Sequence, residues 1–432
     1  MVGREFFVAA QRPPVIPAKA GIQCLCAAAE RLDPGFHRGD NFLPTIKECI
    51  VKRHFNLLRE FSVPLLSGVV VALIWANLSP EGYHRFNQEP LLGPLSFHFL
   101  TNELFMVLFF GMAASEITQS CLPGGDLHPL RKAINPLLAT VGGVVGPVLV
   151  YLGLNALIGA PALIKGWGIP TATDIALAWL VASLVFGRKH PAISFLLLLA
   201  IADDAIGLGI IAVFYPDPGH PVAPQWLALT LVGMIVAFLL RRGKAQSYWP
   251  YLLLGGGLSW LGLFKAHVHP ALALVFIVPF LPHPPSEHKH LFEEDPRDLT
   301  PLASFEHEWK VVVDLGLFMF GLANAGVEFA AIGVPTWLVF ASLAIGKTGG
   351  IFSMGLLGKK LGYPLPALVG KKELLLVGLI GGLGLTVALF VAGEAFTDPL
   401  IQGAAKMGAL FSGGCGLLAI IAGRLMRVRR KI

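Results

Sequence analysis

Apolar runs separated by short polar or basic stretches recur along the chain from residue 62 to residue 425. They fall at 62–78, 99–118, 134–158, 170–187, 191–214 and 224–241, then at 248–265, 267–283, 310–331, 335–358, 372–395 and 399–425. A helix needs about 20 residues to cross the hydrocarbon core of a bilayer. Most of the runs meet that length, with 62–78 and 267–283 the weakest. Backbone groups in lipid must be satisfied within the protein, so the runs predict helices rather than single strands. The expectation is an all-α polytopic membrane protein of about twelve transmembrane helices.

Composition agrees. Of 432 residues, 55% are hydrophobic and 14% charged, against about 25% charged in a soluble domain. The mean hydropathy is +0.68. No polar linker separates two cores, so residues 51–432 are read as a single transmembrane domain. A net charge of +6 could suit nucleic acid, but the basic residues sit between apolar runs, where they set orientation. No nucleic-acid partner is expected. The cysteines (Cys24, Cys26, Cys49, Cys121, Cys415) are scattered and give no metal-ligand spacing beyond one Cys-x-Cys.

Lysine and arginine predict the topology. One set of connections carries Lys52, Arg53 and Arg59, then Arg131 and Lys132, Arg188 and Lys189, and Arg241, Arg242 and Lys244. The same set continues with Lys289 and Arg297, with Lys359, Lys360, Lys371 and Lys372, and with the tail from Arg427 to Lys431. The alternate connections hold only Arg85, Lys165 and Lys265. The positive-inside rule then places both termini in the cytoplasm, which an even helix count also requires.

Residues 1–50 fall outside the pattern. Arg12–Gln23 and Leu32–Asp40 resemble translated intergenic repeat elements, and no compact apolar core of a signal peptide is present. Residues 1–50 are therefore expected to be a disordered or mis-annotated extension, with the authentic start near Val51.

Two runs contain helix breakers. The fourth begins Gly168-Ile169-Pro170-Thr171-Ala172-Thr173-Asp174, and the eleventh carries Gly378, Gly381, Gly382 and Gly384 before Thr386. Proline removes a donor and glycine weakens helix, so both can unwind locally. Unwound backbone at membrane depth is tolerated where protein or a water-filled cavity satisfies it. Matched breaks in two halves predict inverted-topology repeats with two broken, crossing helices and a site between them. Tight helix packing is the other use of glycine here, and for the eleventh run alone both remain open.

Charge inside the apolar runs marks the site. A carboxylate at the bilayer centre costs at least about 2.5–3.5 kcal/mol and is a functional candidate by default. Asp174, Asp203 and Asp204 all lie deep in such runs, and Lys347 lies inside the tenth. Adjacent Asp203 and Asp204 diverge by about 100° around a helix, so they face different neighbours. A buried lysine pairs with a carboxylate or gives up its proton; structural pairing and proton carrying both remain open for Lys347.

These residues carry a resemblance. Ala172-Thr173-Asp174-Ile175-Ala176, Ala200-Ile201-Ala202-Asp203-Asp204, Ala323-Asn324-Ala325-Gly326-Val327 and Gly346-Lys347 are similar to motifs of the NhaA-type sodium/proton antiporter family. Gly382-Leu383-Gly384-Leu385-Thr386 fits, as does Asp398-Pro399 leading to Ala405-Lys406-Met407-Gly408. The resemblance runs from about residue 51 to 430, in a family built on inverted repeats. It implies that Asp174 and Asp204, with Thr173, hold the transported cation and protons, and that Asp203 partners Lys347. It also implies a cytoplasmic-side cluster for pH response, matched here by Glu116, Glu306, His307, Lys265 and His269; for the two histidines a loop or cap role stands beside it. The chain departs from the pattern at Ala114-Ser115-Glu116-Ile117-Thr118, at Ala202, at Ala205–Gly209 and at Glu103, and so resembles a divergent member.

The implied function is secondary active exchange of cytoplasmic sodium or lithium for external protons. It would be electrogenic and pH-regulated, in a bacterial inner membrane, and would need no cofactor. The lipid bilayer is the expected surrounding and a homodimer is compatible. The rival on the same architecture is a sodium-coupled organic-anion transporter. An enzymatic rival, an intramembrane aspartyl protease, needs a Gly-x-Gly-Asp signature; Gly207-Leu208-Gly209-Ile210 lacks the acid.

Overall fold

In the computed structural model the chain is a bundle of helices whose apolar side chains point both inward and outward. The structure describes residues 63–92, 95–122, 130–216, 221–282 and 300–428, all within one unit, Leu58–Ile432. The expected extension, residues 1–50, lies outside the described residues.

Each of the twelve apolar runs is helical. They are α1 (Val63–Leu78), α2 (Phe97–Cys121), α3 (Leu130–Ile158), α4a (Pro161–Thr171) with α4b (Ile175–Phe186), α5 (Pro191–Phe214) and α6 (Pro224–Arg242). The second half has α7 (residues 249–266), α8 (Pro270–Phe280), α9 (Pro301–Asn324), α10 (Val334–Lys360), α11a (Lys371–Gly381) with α11b (Thr386–Ala395), and α12 (Pro399–Leu425). Six of these are long and apolar enough to cross a membrane alone, and eight if each bent pair counts as one span. The rest depend on the bundle: α8 is a short 3-10 segment whose residues Pro270 to Leu274 are all buried, so protein rather than lipid surrounds it. A short helix, Pro80–Gln88, and a two-stranded pair, β1 (Pro90–Leu92) with β2 (Leu95–Ser96), connect α1 to α2.

The surface is that of a lipid-facing protein. Leu149, Leu157, Val213, Leu253, Ile345 and Leu400 are exposed, whereas Asp203, Lys347, Ser115 and Asn324 are buried. Apolar side chains outside and polar ones inside is the arrangement that hydrocarbon imposes.

Both breaks predicted from the sequence are present. The chain bends by 59° between α4a and α4b and by 47° between α11a and α11b. Each broken helix is the middle of three consecutive spans, α3–α4–α5 and α10–α11–α12. The second triplet begins seven elements after the first, an odd offset, so the two run in opposite senses through the bundle.

Glycine joins the triplets. Gly142 and Gly146 of α3 face Gly346 and Gly350 of α10 with backbone against backbone. A Cβ at Gly350 would collide with the Gly142 carbonyl oxygen, and one at Gly146 with that of Gly346. Small residues four apart on both helices permit this approach. The seam overlaps a π turn at Ser342–Lys347, which includes Gly346 and inserts an extra residue. This turn rotates the next part of the helix by about 100° relative to an uninterrupted α-helix. Lys347, at the end of that turn, is fully buried.

Gly350→Ala is expected to force the two helices apart, at a cost of about 1–3 kcal/mol by overpacking. Gly349→Ala, whose Cβ meets nothing within 4 Å, is the control. Thermal unfolding in detergent separates them, and equal melting of the two variants would refute the close seam.

Candidate functional site

The two unwound segments touch. The Asp174 N–H donates to the Leu383 carbonyl at 2.7 Å. The Thr173 hydroxyl lies 2.9 Å from the Gly381 carbonyl and 2.7 Å from Asp203 Oδ2. Each segment thus satisfies backbone or side-chain groups that the other leaves open. Ser412 of α12 closes the far side, accepting from the Gly384 N–H at 3.2 Å while donating to the Ala409 carbonyl at 2.6 Å.

Charge is placed where helix ends require it. Asp174 is the N-cap of α4b, its Oδ1 accepting from the Leu177 N–H at 3.0 Å, and its carboxylate also faces Thr386 at the start of α11b. Two helix N-termini, each the positive end of a macrodipole, therefore meet one carboxylate. At the opposite end, Lys347 Nζ donates to the carbonyl of Thr171, the last residue of α4a, at 2.7 Å. A cation at a helix C-terminus is favourable for the same reason.

Lys347 also reaches Asp203 Oδ2 at 2.6 Å, with both side chains fully buried. Asp203, Thr173 and Lys347 thus form one network joining α4, α5 and α10. Asp204 points elsewhere, half-buried and lining a small cavity with Phe109, Phe110, Ala113, Leu208 and Val387. Its charged neighbours are Asp203, Glu116, Asp174 and Lys347. Asp174 Oδ2, Asp203 Oδ1 and Asp204 Oδ1 are buried and have no hydrogen-bond partner, and of the three side chains Asp203 alone has a cation, Lys347, against its other oxygen. A buried carboxylate oxygen left unmatched demands a cation or a proton.

The residues matched to the pH-response cluster divide into two groups. Glu306 of α9 accepts from the Ser115 hydroxyl at 2.5 Å and from Gln119 Nε2 at 2.6 Å, both on α2. Glu116 and Lys310 lie beside it, and His307 is exposed on the next position. Glu116 also neighbours Asp204, which links this group to the central carboxylates. His269 is not part of it, which corrects the expectation from sequence. It pairs with Glu394 at 3.0 Å, beside His98 at the opposite end of α2. The 17 residues from His98 to Ser115 put the two groups about 25 Å apart along that helix. Lys265, at the end of α7 that leads into His269, lies at that same opposite end. The reason is parity: α7 ends, and α8 begins, on the face away from the basic connections.

Sequence reading assigned no role to Glu394, Lys406, Ser412 or Thr171. Glu394 and Lys406 are charges in apolar runs, a signal of the same kind as Asp174. Thr171 contributes only its carbonyl, for which a side-chain pattern gives no sign.

The family model described as Na+/H+ antiporter 1 matches residues 54–426. The chain belongs to that family. It is 77% identical over 380 residues to a protein named Na(+)/H(+) antiporter NhaA 1 from Pelobacter propionicus, covering 88% of this chain and 100% of the relative. It is 72% identical, with the same coverage, to the Na(+)/H(+) antiporter NhaA of Geobacter sulfurreducens. A more distant relative of that name, from Jannaschia, is 40% identical over 420 residues, covering 88% of this chain and 99% of the relative. Among solved structures, the sodium proton antiporter MjNhaP1 from Methanocaldococcus jannaschii aligns over 85% of this chain and 92% of its own. The TM-score is 0.50 and the identity 18%, a likeness of fold. Membership makes this a multi-pass membrane protein of a transporter family.

Breaking a buried ion pair by removing one member costs about 3–5 kcal/mol, because the other charge is left uncompensated. Lys347→Ala is expected to lose that much stability, and Asp203→Ala added to it to restore part of the loss. A double variant no more stable than Lys347→Ala in a detergent melt would contradict the pairing.

Proposed function

We propose that this protein exchanges sodium or lithium for protons, the two competing for the carboxylates of Asp174 and Asp204. One observation carries the reading: near the helix crossing, each of these side chains keeps a buried oxygen with no hydrogen-bond partner. Protonated, they satisfy themselves and hold no metal ion; ionised, they need a cation. A single site that admits one or the other, and is exposed alternately to the two faces, couples the two fluxes without further machinery. Thr173, hydrogen-bonded to Asp203, belongs to the wall of this site.

Cytoplasmic sodium leaves and external protons enter in this reading, across a bacterial inner membrane with both termini inside. The basic connections support that orientation. Two carboxylates that release a proton each for one monovalent cation move net charge, so the membrane voltage contributes to the driving force. Asp203 and Lys347 hold the crossing together, and the Glu116–Glu306 group adjoining Asp204 is the part placed to adjust the response to cytoplasmic pH. The organic-anion alternative lacks support: an anion needs an available cation, and Lys347 is committed to Asp203 and the Thr171 carbonyl.

Asp174→Asn and Asp204→Asn should each abolish sodium-dependent proton release in proteoliposomes; exchange at the wild-type rate in either variant sinks the assignment. In the wild type, competition requires the sodium KM to rise as pH falls. Where the site is mostly protonated, the rise is about tenfold per pH unit for each proton displaced. A KM for sodium that is independent of pH between 6 and 9, the range in which perturbed carboxylates titrate, would show that the two ions do not share the site.

A further inference from the structure

A second buried charged cluster lies at the far end of α11b, away from the helix crossing. Glu394, next to the last residue of that half-helix, has Oε2 3.0 Å from Nε2 of His269, the residue that precedes α8. Lys406 of α12 is buried with Nζ 4.0 Å from the position a Cβ on Gly393 would take. His98 of α2 faces both Glu394 and Lys406. The start of α8 and α12 therefore supply basic groups to one carboxylate, with the His98 imidazole of α2 nearby.

Glu394 occupies a position that helix electrostatics disfavour. A helix C-terminus is the negative end of the macrodipole, and a carboxylate there is repelled. Burial adds a desolvation cost unless the charge is paired. His269 and Lys406 offset both costs. The same end of α11b is held in other ways: Gln402 Nε2 donates to the Gly393 carbonyl at 2.7 Å and the Phe396 carbonyl at 3.1 Å. The His269 ring packs edge-on against Phe390, one turn back, with centroids 5.0 Å apart. At its near end the half-helix presents Thr386 to Asp174. Its ten residues make a rigid rod of about 15 Å between the two.

We propose that Glu394 is a positioning residue of the exchange cycle: paired with His269 and facing Lys406, it clamps the far end of α11b to α8 and α12, and the central site opens to that face only when the clamp releases. The face is the one opposite the basic connections, since α11 starts at Lys371 and Lys372 on the basic face and α2, α8 and α12 all start on the other. The role in exchange rests on the antiport reading, while the clamp itself does not.

The test uses the full chain with its native cysteines replaced by serine and Ala395→Cys as reporter. Ala395 is buried, so a membrane-impermeant thiol reagent reaches it only when the clamp opens. Glu394→Gln is expected to raise labelling roughly tenfold from the face opposite the basic connections, as a released two-state equilibrium would. Labelling from the basic face should not change, and Glu394→Asp, which keeps the charge, should label like the parent. The proposal is overturned if Glu394→Gln labels like the parent, if Glu394→Asp labels like Glu394→Gln, or if both faces become reactive together. Should Glu394→Gln fail to reach the membrane, Lys406→Met removes the opposing charge and carries the same expectations. Labelling needs neither sodium nor turnover. A parent protein with no sodium-dependent proton exchange would thus refute the antiport reading while leaving the clamp measurable.

Discussion

A helix interrupted at membrane depth leaves backbone groups that no solvent is present to satisfy, and the rest of this protein is built around how α4 and α11 meet that demand together. Neither break is stable alone. The Asp174 N–H needs the Leu383 carbonyl, and Gly384 needs the Ser412 hydroxyl. The half-helix ends then add partial charges, positive where α4b and α11b begin and negative where α4a stops. Asp174 and Lys347 stand at those ends with the complementary sign. The chemistry of the site is thus inseparable from its construction. Asp174 stabilises two helix N-termini while one of its oxygens keeps no hydrogen-bond partner.

The four central charges divide the work. Asp203 and Lys347 use up each other's charge, and the Thr173 hydroxyl adds to Asp203. Asp204, one residue on and turned away around α5, faces the cavity instead. Adjacent aspartates on a helix face different neighbours, and here one is paired with Lys347 while the other lines the small cavity. Glu116 reaches towards Asp204 from α2, the same helix that meets Glu306 nearer the basic face and carries His98 at its other end. A single helix therefore touches the central carboxylates and both outlying ionisable groups.

Much of this was legible in the residues. Twelve apolar runs became twelve helical segments, because lipid leaves backbone few alternatives, although α4a begins at Pro161 and α9 spans Pro301–Asn324, each starting nine residues before its apolar run. Pro170 and the Gly381–Gly384 stretch marked both breaks, and Asp174, Asp203 and Lys347 stood out as charges that hydrocarbon would expel. What was not legible was mutual placement. The family resemblance grouped His269 with Glu116 and Glu306, yet the parity of the spans carries it to the other face and to Glu394. The carbonyls of Thr171, Gly381 and Leu383 are equally invisible in a sequence, since every residue owns one. The shortness of α8 was visible, but not that burial of Pro270 to Leu274 within the protein lets short 3-10 turns stand in for a full span.

The seam between α3 and α10 sets a limit on how this bundle can move. Where main chain rests on main chain, no side chain can change rotamer to let one helix ratchet past the other. Gly142, Gly146, Gly346 and Gly350 therefore weld one helix of each inverted triplet into a common keel that carries Lys347. Displacement during a transport cycle is left to the half-helices, whose contacts are made by side chains that can let go.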